Sequence, residues 1–420
     1  MRLLFMATLA KTLHETTVGL DLAHQLKPAG VRCHFVVDAD NEPQLKASGH
    51  SYTVVTSDLG HGIRDTVART VREFRPDAIV LSDYLGHWLT HLVNYETDPW
   101  YVQEFGVPVL PIDMLGLADT DREVEVLGKT VTVDANLLDM PLHLRPVPVN
   151  RPQRPAGPNG LLYRANSTLT PLTDAARERV RRSAGVEAGR RLLLFPTLPW
   201  QHIMQTRAGP ATRELAVRLP RLIGHYLRRL PADTRFVMVG PYFENLGLPP
   251  ERVHFEPVYT ADRYHQLLGA SDAVMSCFLT SYALERAILL DVPGLIATNG
   301  HAFPAGAAAS GTAPFGALSP AARSWLTDFP GPVPSFHQWP LRWSRLLSGL
   351  LHDNPFADTV LSAEVFDENA VVSGLESVLY DPAVRDGLAA ARADYRDALG
   401  RLPDTAQAFT AAADRLGIGR

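Results

Sequence analysis

Short apolar runs alternate with longer amphipathic stretches along most of this chain, and that rhythm restricts its fold more than any other feature. RLLFMATL (2–9) reads as a strand and TVGLDLAHQLKPAG (17–30) as a helix ending at Gly30. VRCHFVVD (31–38) is a second strand, IRDTVARTVREFRP (63–76) a helix stopped by Pro76, and DAIVLSD (77–83) a third strand. FGVPVLPIDML (105–115) adds one more. A strand buried on both faces reads as a continuous apolar run, and a parallel neighbour is reached only through a crossover, usually a helix. The alternation therefore predicts α/β architecture, with parallel sheets covered on both faces.

The rhythm breaks once. Residues 146–160 read PVPVNRPQRPAGPNG, with five prolines that suit neither helix nor strand interior, and they are the best linker candidate. Beyond them the pattern restarts. LTDAARERVRRSAG (172–185) is a helix with Thr173 or Asp174 as its cap, RLLLFPTL (191–198) a strand and ELAVRLPRLIGHYLRRL (214–230) a helix. TRFVMVG, RVHFEP, SDAVMS and VPGLIAT are strands, with helices near 261–269 and 281–290. Residues 299–345 are rich in Ala, Gly, Pro and Ser and read as a loop-rich insertion; 382–417 is mostly helical. The expected organisation is a Rossmann-like domain over 1–150, a linker and first helix over 151–189, a second Rossmann-like domain over 190–385, and C-terminal helices over 386–420 that could cross back. Two doubly wound domains of this kind would face each other across a cleft at the carboxyl ends of their strands, where such sheets bind ligands.

The 420 residues carry a net charge of −5 with 20% charged side chains, which leaves no basic footprint for a nucleic-acid or anionic-membrane partner. No uninterrupted apolar run reaches the length of a membrane span, and the apolar start reads as a strand and not a signal peptide. Cys33 and Cys277 stand far apart in apolar strand contexts, so neither a disulfide framework nor a cysteine metal site is expected, and the cytoplasm is the default location. The sequence assigns no oligomeric state.

The stretch MSCFLTSYALERAILLDVPGL (275–295) carries the chemistry. A strand delivers the chain to a helix N-terminus, where unpaired N–H groups and the helix dipole favour a phosphate by roughly 1 kcal/mol. Thr280 and Ser281 add hydroxyls. Glu285 lies a turn further in, and a carboxylate beside a phosphate is useful only if it faces something else, such as the two adjacent hydroxyls of a ribose. The plainer account makes Ser281 a cap and Glu285 an ordinary first-turn acid; the reciprocal box would need Glu or Gln at 284, which is Leu.

From RVHFEPVYTADRYHQLLGASDAVMS through LERAILLDVPGLI, the chain resembles the C-terminal signature of the GT-B-fold glycosyltransferases, and LKPAGVRCHFVVD, FRPDAIVLSD and FGVPVLPI are similar to their N-terminal segments. Three departures stand out. Ser276-Cys277-Phe278 replaces the usual glycine pair, Asp291 stands where glycine precedes Val-Pro, and the spacing from Glu285 to Pro293 is one residue longer. The resemblance implies a nucleotide-sugar donor such as a UDP- or TDP-sugar in the C-terminal domain, with no other cofactor and no metal. It makes Thr197 and Gln201 of FPTLPWQ diphosphate contacts and offers Tyr259 or His254 as a base-stacking ring. It also implies that His14, in the loop after the first strand, removes the acceptor's proton. Asp83 is the expected orienting carboxylate and Asp113 the second choice. His87 and His91, four apart, could chelate zinc on one helix face but lack the HExxH glutamate; otherwise they line the acceptor pocket with Asp113. Asp38-Ala39-Asp40 has the form of a metal-binding DxD triplet but falls too early, and reads as loop acids.

The expected activity is metal-independent, inverting transfer of a sugar to a small-molecule acceptor, of the kind used in natural-product tailoring. Two other readings stay open: a sugar-nucleotide epimerase or non-glycosidic coupling enzyme on the same fold, and a binding or auxiliary protein without chemistry.

Overall fold

The computed structural model describes residues 1–10, 13–120, 122–126, 129–148, 151–152, 157–279, 281–306 and 311–418. The chain divides into two compact units. The first holds Met1–Arg122, Thr132–Thr168 and Ala398–Arg420; the second holds Glu123–Val131 and Leu169–Asp397.

In the first unit, β1 (Arg2–Ala7), β2 (Arg32–Asp38), β3 (Ser51–Val55), β4 (Ala78–Leu81) and β5 (Val109–Pro111) form a sheet in the order β3-β2-β1-β4-β5. All pairings are parallel, with Leu3 opposite both Cys33 and Ala78. Leu3 to Ala7 are fully buried, as the central position of β1 requires. The crossovers are the helices Leu13–Leu26, Glu42–Ser48, Ile63–Phe74 and Tyr84–Val93. The first ends at Leu26, earlier than the sequence suggests: Pro28 turns the chain into a 3-10 turn that closes on Gly30 at φ 72, a left-handed cap that glycine adopts without strain. β3 escapes the sequence reading because it is an edge strand with only Val55 buried.

The proline-rich stretch does not separate the units. It joins β8 (His143–Val147) to β9 (Gly160–Arg164), a parallel pair of the first unit that continues from β5 through the Ile112–Leu144 bridge. Residues 149–150 and 153–156 lie outside the described residues. A crossover and an interdomain linker have the same proline-rich composition. The first unit accordingly runs on to Thr168, and β6 (Glu123–Val126) with most of β7 (Lys129–Thr132) belongs to the second. The carboxylate of Glu125 pairs with Arg342 Nε at 2.9 Å, and its carbonyl accepts from Trp343 Nε1 at 3.3 Å. The last helix, Thr405–Leu416, returns to the first unit, where the bridge between Arg164 and Asp404 anchors its start.

The second sheet is six-stranded and parallel, β12-β11-β10-β13-β14-β17, built from β10 (Arg191–Pro196), β11 (Thr234–Val239), β12 (Val253–Glu256), β13 (Ala273–Ser276), β14 (Gly294–Thr298) and β17 (Val360–Glu364). β17 is a sixth strand beyond those read from sequence; only Val360 of it is buried. Between β14 and β17 lie the two-residue strands β15 (Thr312–Ala313) and β16 (Gly316–Ala317) and the helix Pro320–Asp328. Five aromatic residues of this insertion belong to the core. Phe303, Trp325, Phe329, Phe336 and Trp339 are all buried. Trp325 and Trp339 donate their indole N–H to the carbonyls of Arg218 and Leu215 on the helix Pro210–Arg229. Asp272, at the start of β13, is buried and takes hydrogen bonds from Arg177, Arg181 and the Leu192 amide. That fixes the helix Asp174–Ser183 against the sheet, and Thr173 caps it as expected.

Candidate functional site

In each sheet the chain starts at a central strand, winds outward on one side, and then returns to begin the other side. The switch points lie between β1 and β4 and between β10 and β13. Loops leaving neighbouring strands there diverge, so the carboxyl ends of these pairs form the natural ligand crevice of each sheet.

At the second switch point, Ser276 ends β13, and its hydroxyl accepts from the Phe278 amide and donates to the Phe278 carbonyl. The Leu279 amide donates to the His337 carbonyl at 2.6 Å. Ser281 is a true N-cap, accepting from the Leu284 amide at 3.4 Å, and the helix Tyr282–Leu289 follows. Thr280 lies outside the described residues. Glu285 is only 5% exposed. Among the described residues no hydrogen bond reaches its carboxylate, and burial pushes its pKa up to about 8 from the ordinary 4.5, against the pull of Arg286. Buried Arg286 stacks on Tyr282 and donates from Nε to His265 Nε2 at 3.0 Å. Tyr264 bridges these rings to Tyr259, whose ring centroid is 5.6 Å away. Tyr259 is thus half-buried in an aromatic row beside Glu285. His254 is engaged elsewhere, on Glu256.

The loop after β10 faces the same crevice, but its side chains serve the fold. Thr197 is 1% exposed and donates its hydroxyl to the Pro241 carbonyl at 2.6 Å. Gly240 crosses so close that a Cβ there would lie 2.0 Å from the Thr197 carbonyl. Gln201 accepts from the Leu198 amide at 3.0 Å, closing the start of the helix Pro199–Arg207. Its Nε2 donates to the Trp339 carbonyl. Both assignments as diphosphate contacts are corrected: these polar groups are buried and spent on neighbouring backbone.

At the first switch point, the loop after β1 leads into His14, which is half-buried at the start of its helix. Its neighbour Glu15, which sequence reading passed over, is 1% exposed. Glu15 Oε2 accepts from the Leu9 amide at 2.7 Å, while Asn41 Nδ2 donates to the Leu9 carbonyl at 3.2 Å, so the Leu9 peptide is held on both sides. Burial raises the Glu15 carboxyl well above its ordinary range, with Asp83 and Asp38 adding repulsion. Asp83 caps the helix Tyr84–Val93 through the Leu85 amide at 3.0 Å. Burial raises it to about 6, with Asp113 contributing. Asp83 thus sits electrostatically beside Glu15; no His14–Asp83 bond is seen among the described contacts.

Asp113, His87 and His91 are corrected. All three have no exposed surface. Asp113 accepts from the Leu117 amide at 2.9 Å and faces Arg145, holding the loop where β5 meets β8. His87 donates from Nε2 to the Pro99 carbonyl at 2.7 Å. His91 donates from Nδ1 to the His87 carbonyl and accepts from the Tyr101 hydroxyl. Burial depresses both imidazoles, His91 to about 4. They are neutral core side chains and present nothing to an acceptor. Asp38 caps the turn that follows β2 by accepting from the Asp40 amide. Among the described residues no group of three or more His, Cys, Asp or Glu is arranged to hold a metal ion, and no helix is long and apolar enough to cross a membrane.

Two Rossmann-like units with these sheet orders define the GT-B fold, and solved members share it across the whole chain. Anabaena Alr3699/HepE, solved in complex with UDP-glucose, matches with a TM-score of 0.54 and 14% identity, covering 99% of both chains. The glycosyltransferase VinC, in complex with dTDP, gives 0.55 and 15% over 100% of this chain and 99% of its own. The spinosyn rhamnosyltransferase SpnG gives 0.54 and 14% over 99% and 100%. At such identity the likeness establishes the fold. The chain itself belongs to DUF6365, a family of unknown function, which matches residues 22–417. No curated protein matches the sequence.

Proposed function

We propose that this chain is a metal-independent glycosyltransferase whose second unit binds a UDP- or dTDP-sugar and whose first unit binds a small-molecule acceptor. The observation that carries the reading is Glu285. A carboxyl group kept at 5% exposure with no hydrogen-bond donor among the described residues is costly. It lies a turn into the helix that leaves the switch point, where a nucleotide's ribose would offer two hydroxyl donors. The N–H groups opening that helix favour the diphosphate, while Ser281 itself is fully buried and spends its hydroxyl on the Leu284 amide. Two neighbours of this fold, HepE and VinC, were solved with UDP or UDP-glucose and with dTDP.

In the transfer step His14 takes the acceptor hydroxyl's proton as that oxygen attacks the anomeric carbon. The bond from that carbon to the β-phosphate oxygen breaks, the nucleoside diphosphate leaves, and the configuration inverts. No cofactor beyond the nucleotide-sugar enters.

A second reading, binding without transfer, draws on one observation: the Phe278 and Leu279 amides are already bonded within the protein. Thermal unfolding with UDP, dTDP, GDP and their glucose conjugates tests the shared premise; the absence of any stabilisation would end both readings. Loss of turnover in His14→Ala with donor affinity retained would favour transfer, and an active His14→Ala variant would remove the base assignment.

A further inference from the structure

The turn ahead of the helix Tyr282–Leu289 lacks glycine, and two of its amides are in use. The Phe278 amide is taken by the Ser276 hydroxyl within the turn, and the Leu279 amide by one segment of the insertion. Asn299 and Phe336 exchange both backbone hydrogen bonds, at 2.9 and 2.8 Å. Gln338 pairs with Phe278 in an antiparallel bridge, flanked by Leu279 N–H to the His337 carbonyl and Trp339 N–H to the Cys277 carbonyl. Residues 336–339 therefore run as a short added strand joined both to the end of β14 and to the loop after β13. Phe336 and Trp339 anchor it in the core. Between them, His337 and Gln338 are half-buried. His337 is held through Nδ1 by Ser344 at 2.8 Å, and burial keeps its ring neutral. Gln338 Oε1 is shielded from solvent and has no hydrogen-bond partner among the described residues.

We propose that His337 and Gln338 are donor-site residues, with the imidazole and carboxamide contacting the diphosphate and its attached sugar in place of the Leu279 amide that this segment occupies. The inference rests on the second unit binding a nucleotide-sugar. It gives the insertion a role in donor specificity: it supplies neutral hydrogen-bonding side chains where a glycine turn would supply backbone.

The test measures UDP-glucose affinity by calorimetry, and uridine binding by saturation-transfer NMR, on the full chain. Gln338→Ala and His337→Ala should each weaken UDP-glucose roughly 10-fold or more, the loss of one hydrogen bond to a charged group. Uridine binding should be unchanged. Gln338→Glu keeps the shape and adds a charge beside phosphate. It should weaken UDP-glucose further, with an effect that shrinks as salt is raised from about 0.05 to 0.5 M. Wild-type affinity in Gln338→Glu and His337→Ala, while Glu285→Ala loses binding, would overturn this inference and leave the proposed function standing. If wild-type protein binds no nucleotide-sugar, both fall.

Discussion

The raised carboxyl of Glu285 turns the donor-site reading into a proton-counting experiment. With a pKa of about 8 in the free protein, most molecules carry a neutral Glu285 at pH 7. Ribose hydroxyls that donate to a carboxylate stabilise its charged form, so binding should expel the proton. If the bound carboxyl returns to the ordinary range, the observed dissociation constant scales as 1 + 10^(8−pH): about 100-fold above its limit at pH 6, about 11-fold at pH 7 and about 2-fold at pH 8. UDP-glucose suits the titration because its diphosphate has no proton to lose in this window. Its affinity should therefore tighten about 50-fold from pH 6 to 8, with about 0.9 proton released at pH 7. Calorimetry in two buffers of different ionisation enthalpy reads that number directly. Glu285→Gln should bind more weakly and show neither effect. A pH-independent wild-type affinity with no proton release would refute the ribose role.

The same shift gives an opposite sign for stability. A folded-state pKa above the unfolded value means the fold holds the proton more tightly. That stability is present in full below about pH 4.5 and is lost as pH rises toward 8. The slope is about 1.4 kcal/mol per pH unit between those limits, so roughly 3 kcal/mol has gone by pH 7. Glu285→Gln removes the penalty. It should unfold at a higher temperature than wild type at pH 8 and at nearly the same temperature at pH 4.5. A substitution that stabilises the free protein while weakening donor binding is hard to explain for an ordinary first-turn acid.

Glu15 holds the Leu9 peptide, so Glu15→Ala should expose the Leu9 amide to hydrogen exchange by 10-fold or more, whereas Glu15→Gln, which keeps an acceptor, should retain protection; equal exchange in all three would deny the clasp. The His87–His91 pair should sensitise the first unit to acid. With His91 depressed to about 4, stability is intact above pH 6.5 and falls as pH drops, by about 2 kcal/mol at pH 5 from His91 alone. His91→Gln should flatten that limb of the unfolding curve, and an unchanged acid slope would contradict the burial argument.

Much of this architecture is legible in the sequence because strands buried on both faces announce themselves. RLLFMA, AIVL and RLLLFP have almost no polar residue to spare, and each became a strand. SYTVV and VLSAE went unread for the converse reason: edge strands are half-exposed, so their composition resembles a loop. The site was legible only where a residue's local setting decides its role. Ser281 precedes an apolar helix and is its cap, and Glu285 stands out as the lone acid of an apolar stretch. Thr197, Gln201, Asp113, His87 and His91 looked equally functional, yet each is claimed by a backbone group or ion partner brought in by the fold. Glu15 was overlooked because nothing local shows that its carboxyl turns back onto Leu9.

The departures from the glycosyltransferase pattern have a common physical form. Asp291 takes the place of a glycine and adopts φ 58, a left-handed conformation that a non-glycine residue enters at a cost of roughly 1 kcal/mol. Asp tolerates that region better than most residues. Here its carboxylate is also met by Arg392 at 3.0 Å and Arg396 at 3.2 Å, from the helix Pro382–Gly400. The glycine-free turn at 276–279 is likewise completed by backbone from 336–339. In both places the local motif is degraded and the missing freedom or amide is answered by contacts from far along the chain. Those two partners, the insertion and the C-terminal helix, are the segments whose roles the sequence left least defined. The two altered positions are therefore braced and not left loose: a second strand completes the 276–279 turn, and the buried Arg392 with the half-buried Arg396 holds Asp291.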